Sequence, residues 1–210
     1  MSFKTFIRNI CPPILYKSFS KAQELILKKQ LLFPGYDMLF KKTLNDTKVY
    51  GEYGMGESTK FVNKNYPIKI ISVDSSIEWV ESTRLSLENS ADCKLIHIDI
   101  GEIENWGRPI NFKKRENFIK YAESLFLQEE VPDTVLVDGR FRVLCFLYSL
   151  TKINVGSKIL FDDYNREIYH IVEEIIKPTD ICGDMALFIK DKDSYPGCED
   201  LMSKFIYVID

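Results

Sequence analysis

The chain is poor in the residues that most often bind zinc. It has 2 histidines and 5 cysteines in 210 residues, and Cys11, Cys93, Cys145, Cys182 and Cys198 show no C-x-x-C spacing. That odd count reads as reduced thiols in an intracellular protein and excludes a zinc ribbon or a disulfide frame. No apolar run approaches the roughly 20 residues of a membrane-spanning helix, and the N-terminus lacks the apolar core and cleavage site of a signal peptide. The cytoplasm is therefore the expected location. A dominant sign of charge is also lacking, since a net −3 gives no basic field to attract nucleic acid. Internal repeats and low-complexity tracts are absent. What is present, 45% hydrophobic and 13% aromatic residues, suffices for one sizeable core with an appendage.

The chain is organised around residues 49–59, Val-Tyr-Gly-Glu-Tyr-Gly-Met-Gly-Glu-Ser-Thr. Val49 and Tyr50 begin an extended run, the glycines bend it, and Glu57, Ser58 and Thr59 open a helix. Gly54 and Gly56 let the backbone approach a ligand where a Cβ would collide, and Glu52 sets a carboxylate at the strand's end. Such a loop suits a ligand with positive charge. The dinucleotide fingerprint G-x-G-x-x-G, built for pyrophosphate, fails at Thr59.

Strands and helices then alternate. Strands are expected at 69–73, 94–98, 134–137 and 158–161, with helices at 58–65, 77–89 and 143–150, which implies a mainly parallel sheet covered on both faces. Two final strands, 185–190 and 205–209, with only a loop between them predict an edge hairpin and an antiparallel last strand. Acids recur at the strand ends: Glu52, Asp74, Asp99, Asp138, Asp162 and Asp163. Ligands of open α/β sheets bind beyond those ends, so these side chains are expected along one rim. Asp74 lies 20 residues past Gly54, the offset at which a carboxylate meets ribose hydroxyls.

The stretch Glu52-x-Gly54-x-Gly56-x-Ser58 resembles the first motif of class I S-adenosylmethionine (SAM) dependent methyltransferases, with Ser58 in place of a third glycine. The resemblance covers residues 49–210. It implies a Rossmann-like α/β fold of seven strands with the last inserted antiparallel, the glycines under the methionine part of SAM, Asp74 on the ribose, and Asp99 with Ile100 at the adenine. Asp138 after the fourth strand and Asp162-Asp163-Tyr164 after the fifth look like the metal-dependent sugar O-methyltransferases of the macrocin type, which implies Asp138, Asp162 and Asp163 as Mg²⁺ ligands. A divalent cation there would lower the acceptor's pKa. Arg140, where those enzymes carry a further acid, would either neutralise a carboxylate and displace the metal or clamp an acidic acceptor. The motifs Asp-Ile-Gly-x-x-x-x-Trp-Gly-Arg-Pro and Val-Asp-Gly-Arg-Phe-Arg, with the Phe-Pro-Gly-Tyr-Asp lead-in, are similar to methyltransferase-like proteins of bacterial surface-polysaccharide clusters. That implies a glycan hydroxyl as acceptor, with Asp138, Arg140 and Asp163 as the catalytic set.

Two other classes stay open at this level: a methyltransferase-fold protein that binds without turnover, and a nicotinamide-dependent sugar enzyme. The latter is disfavoured by Thr59 and by the lack of a Tyr-x-x-x-Lys pair. Residues 1–48 read as a helical extension and 49–210 as the catalytic domain. The basic amphipathic stretch 1–30 either lies on an anionic membrane surface or forms helices split at Pro12-Pro13 that cover the domain or pair two subunits. The second is favoured because apolar stripes usually pack on protein. Tyr36–Leu44 reads as a short helix. Trp106 is expected to anchor its loop to the core, Cys145 to be core, and Tyr164 and Asn165 to lie near the acceptor. His170 is a candidate base if it turns inward.

Overall fold

The computed structural model describes residues 32, 33 and 37–209, and the chain divides into two compact units, 1–37 and 38–210. The amphipathic stretch 1–30, the Pro34-Gly35 turn and Tyr36 lie outside the described residues. In the first unit the Asp37 carboxylate accepts hydrogen bonds from the backbone N–H of Phe33 (2.9 Å) and Leu32 (3.3 Å).

The second unit is built on strands β1 (Val49–Tyr53), β2 (Lys69–Asp74), β3 (Cys93–His97), β4 (Thr134–Val137), β5 (Lys158–Phe161), β6 (Asp180–Cys182) and β7 (Met185–Ile189). They form one sheet in the order β3-β2-β1-β4-β5-β7-β6. The first five are parallel, and β7 runs antiparallel between β5 and β6. The helices are α1 (Asp37–Leu44), α2 (Glu57–Asn65), α3 (Ile77–Ser86), α4 (Phe118–Glu123), α5 (Arg142–Lys152) and α6 (Cys198–Phe205). Strands covered on both faces read as continuous apolar runs, and all of β4, Thr-Val-Leu-Val, is buried.

Helix α5 supplies much of the core. Val143, Leu144, Cys145, Phe146, Leu147 and Leu150 are all buried on it, and the Phe146 ring meets Phe188 at 4.7 Å and Phe161 at 5.6 Å. Truncating such a residue to alanine costs about 3–5 kcal/mol. The last hairpin departs from expectation. Its partner strand is β6, ahead of β7, joined through Gly183 at φ +63°, while Phe205 ends helix α6. Cys198, Leu201, Met202 and Phe205 recur at helical spacing, so the segment buries an apolar stripe that a strand could not present. The Trp106 expectation also fails: the residue is 83% exposed. Gly107 fastens that loop instead, its carbonyl accepting from Ser75 Oγ at 2.9 Å, with an Ile103–Pro109 bridge closing the base.

Candidate functional site

Strand register decides which acids share a level. Tyr53 lies opposite both Val73 and Val137, and Val137 opposite Phe161, so Gly54, Asp74, Asp138 and Asp162 stand side by side one step beyond. Strand order reverses between β1 and β4, the place where such sheets open a crevice. There Gly54, at φ +91°, lies against the Asp138-Gly139 turn so closely that a Cβ would come 2.6 Å from the Asp138 carbonyl oxygen. Gly139 has no more room, since a Cβ there would meet Gly54 N at 2.6 Å. Gly56 differs: a Cβ would meet nothing within 4 Å.

Glu52 lies two steps below that level and is fully buried. Its carboxylate accepts from Tyr50 Oη and Ser72 Oγ, each at 3.0 Å, and from Ser58 Oγ and Thr59 Oγ1. Burial pushes its pKa up and these four donors pull it back. Thr59 Oγ1 also accepts from Gly56 N at 3.0 Å, so Ser58 and Thr59, which break the glycine patterns, tie the start of α2 to β1. Asp74 takes the next turn: Oδ2 accepts from Met55 N (3.0 Å) and Oδ1 from Ser76 N (2.7 Å). Its pKa is raised by burial, against the opposing amides and the charge of Arg140. Asp99 stands apart, its side chain about half exposed and paired with Lys114, while Ile100 beside it is buried.

Asp138, Asp162 and Asp163 do converge, and a guanidinium stands at their centre. Arg142 Nη2 lies 2.9 Å from Asp138 Oδ1 and 3.2 Å from Asp163 Oδ2, and Nη1 lies 3.8 Å from Asp162 Oδ2. The same group donates to the carbonyls of Asp162 (2.6 Å), Gly139 (3.3 Å) and Asp138 (3.4 Å), and its central carbon lies 5.8 Å from the centre of the Tyr169 ring. Asp163 also pairs with Arg166 at 2.6 Å. Two strained residues frame the cluster, Phe141 at φ +53° and Asp163 at φ +56°, and the Phe141 ring is held by Phe118 at 4.5 Å. Such backbone concentrates at functional sites.

Asp138 and Asp162 behave as a pair. Burial raises both, to about 6 for Asp138 and about 8 for Asp162, with the Asp138 charge adding to the rise at Asp162 and Arg142 opposing it at both. Like charges this close hold one proton between them at neutral pH. Asp162 Oδ1 is buried with no hydrogen-bond partner. The Asp138 side chain is 29% exposed and that of Asp162 only 12%, so Asp138 is the member a substrate can reach.

The Mg²⁺ site implied for these three acids does not fit. Their inward oxygens face a guanidinium, and among the described residues no group of three or more His, Cys, Asp or Glu is arranged to hold a metal ion. Sequence reading placed Arg140 beside the cluster. The group there is Arg142, whereas the charge of Arg140 acts on Asp74 and Tyr121. Residue spacing carried no signal for Arg142, because the left-handed turn at Phe141 lies between it and Asp138. Tyr164 is buried, its hydroxyl donating to Glu173 at 2.8 Å, and exposed His170 lies against the Tyr164 carbonyl at 2.8 Å; neither joins the cluster.

No protein-family model matches the sequence, and it has no significant match among curated proteins. Among solved structures the chain is similar to a methyltransferase-like protein from Silicibacter pomeroyi, at 28% identity over 84% of this chain and 96% of that one, with a TM-score of 0.74. It is also similar to NSun6 from Pyrococcus horikoshii with SFG, at 12% identity over 76% of this chain and 53% of that one, TM-score 0.50, a likeness of fold alone. The seven-stranded sheet with one reversed strand is thus a Rossmann-like methyltransferase fold.

Proposed function

We propose that the chain is a SAM-dependent O-methyltransferase acting on a hydroxyl of a sugar or glycan, with residues 1–48 as an N-terminal extension. The observation that carries this reading is the meeting of two turns at the switch point, the glycine-rich turn after β1 and the Asp138-Gly139 turn after β4. On this reading the donor cradle and the proton acceptor lie side by side at one end of the sheet. The similarity to a methyltransferase-like protein supports the methyl-transfer class, and the resemblance to surface-polysaccharide proteins supports the acceptor.

The open space over Gly56 fits SAM, since it is a place where a side chain would stand and the chain itself needs none. When bound, SAM supplies an electrophilic methyl group on a sulfonium. Gly54 and Gly56 would lie beneath its methionine part, Asp74 would take the ribose with the lone pairs its two amides leave unused, and Asp99-Ile100 would border the adenine. Glu52 shapes the cradle from below through α2. Asp138 receives the acceptor proton, Asp163 is held beside it, and Arg140 lies toward Asp74, where it can orient an anionic acceptor.

Titration calorimetry with SAM tests the first half, with micromolar binding as the expected result and its absence sinking the proposal. Transfer of a labelled methyl group into an extract of polysaccharide precursors tests the second. Binding without turnover is a second reading, favoured by the pairing of Asp138 and Asp163 with Arg142; SAM bound with no transfer to any hydroxyl acceptor would select it.

A further inference from the structure

We infer that the Arg142 guanidinium occupies the position a divalent cation would hold among Asp138, Asp162 and Asp163, so that an acceptor hydroxyl loses its proton to Asp138 with no metal ion in the cluster. The inference rests on the methyltransferase reading. Its ground is the geometry of one side chain, 5% exposed, whose nitrogens contact all three carboxylates and three backbone carbonyls from the turns after β4 and β5.

Mg²⁺ demands six oxygens at about 2.0–2.1 Å in an octahedron, and the planar fork fills that space. Leaving it would strand the carbonyls of Gly139, Asp138 and Asp162 and bury an unpaired cation elsewhere. Asp163 Oδ2 is also held by Arg166 at 2.6 Å, so that oxygen is committed to two guanidinium groups.

The reaction balances without an ion. The hydroxyl proton passes to an Asp138 oxygen, the hydroxyl oxygen bonds to the methyl carbon, and the carbon–sulfur bond breaks with its electron pair left on sulfur. Asp138 afterwards returns its proton to water. Arg142 is a positioning residue here: it holds Asp138 with one edge toward the crevice.

The test is a Mn²⁺ titration followed by calorimetry and thermal melting, with methyl transfer measured in EDTA. Wild-type protein is expected to take up no Mn²⁺, to melt at the same temperature with or without it, and to keep full activity in EDTA. Arg142→Met, which empties the position, is expected to bind one Mn²⁺ and to melt higher in its presence. Arg142→Lys, a charge without the fork, is expected to fold, bind no Mn²⁺ and transfer methyl groups at least about tenfold more slowly. Mn²⁺ uptake by the wild type that disappears in Asp163→Asn overturns the inference, as does a folded Arg142→Met that binds none. Should Arg142→Met not fold, the wild-type response decides alone. SAM titration of the same sample separates failure of the methyltransferase reading from failure of this one.

Discussion

On the β1–β2 side of the rim, the hydrogen bonds to the carboxylates come from neutral dipoles: four hydroxyls at Glu52 and two amides at Asp74. On the β4–β5 side, Asp138, Asp162 and Asp163 are met by a buried cation, and burial raises the carboxyls of the first two. Neutral dipoles fix the shape of the first side, whereas the second keeps a partly exposed titratable group at Asp138. One fold end holds both because the strand order reverses between them.

The contrast is broken most sharply at Asp138. Asp138→Asn preserves the shape and a partner for Arg142 but removes the proton acceptor, and methyl transfer is expected to fall about 10²- to 10⁴-fold while the SAM dissociation constant stays within about threefold. Turnover assays beside calorimetry check it, and equal losses in binding and turnover would erase the division between the sides. On the other side Glu52→Ala leaves Tyr50, Ser58, Thr59 and Ser72 hydroxyls without their acceptor. Stability is expected to drop by about 3 kcal/mol, read by denaturant unfolding, with SAM binding failing as the cradle loosens.

The parallel strands were legible from sequence because apolar runs ending in an acid, each followed by a helix, are local patterns. So were Asp138, Asp162 and Asp163, whose convergence follows from parallel pairing alone. Which arginine enters the cluster was not legible. Arg140 and Arg142 stand two residues apart, and the left-handed turn at Phe141, set by packing on Phe118, decides the matter through tertiary contact. The sealing of Glu52 depends on Ser72 of β2 and on the first turn of α2, partners that residue spacing along β1 does not reveal. Strand β6 escaped notice because it has three residues and leaves Ile181 55% exposed, with neither length nor alternation to mark it.

Two glycines sharpen the comparison within the scaffold itself. Gly54→Ala drives a Cβ to 2.6 Å from the Asp138 carbonyl oxygen at φ +91°, and it is expected to cost about 2 kcal/mol or more. Gly56→Ala meets nothing of the chain within 4 Å, so unfolding is expected to shift by less than about 0.5 kcal/mol. SAM affinity should nonetheless weaken about tenfold, or about 1.4 kcal/mol, because the methyl enters the donor's space. Gly56→Ala binding SAM as tightly as wild type would move the donor off this turn.

The shallowest expected effect spreads over several pH units and belongs to the β4–β5 side alone. The folded pKa of Asp162 is raised, to about 8, above its value in an unfolded chain. Between the two the native state binds more protons than the unfolded one, and stability falls as pH rises. The contribution is fully present below the unfolded pKa near 4 and lost as pH passes through about 8. Asp162→Asn removes this term, so its melting temperature should gain steadily on the wild type from pH 5 to pH 9. Glu52→Gln, whose parent carboxylate is met by hydroxyls, should show a weaker drift because the four donors offset its burial. Activity moves the other way, since Asp138 must be ionised to accept a proton, and turnover should climb with pH through about 6. A wild-type melting curve that stays parallel to that of Asp162→Asn over that range would mean that Arg142 holds all three carboxylates ionised.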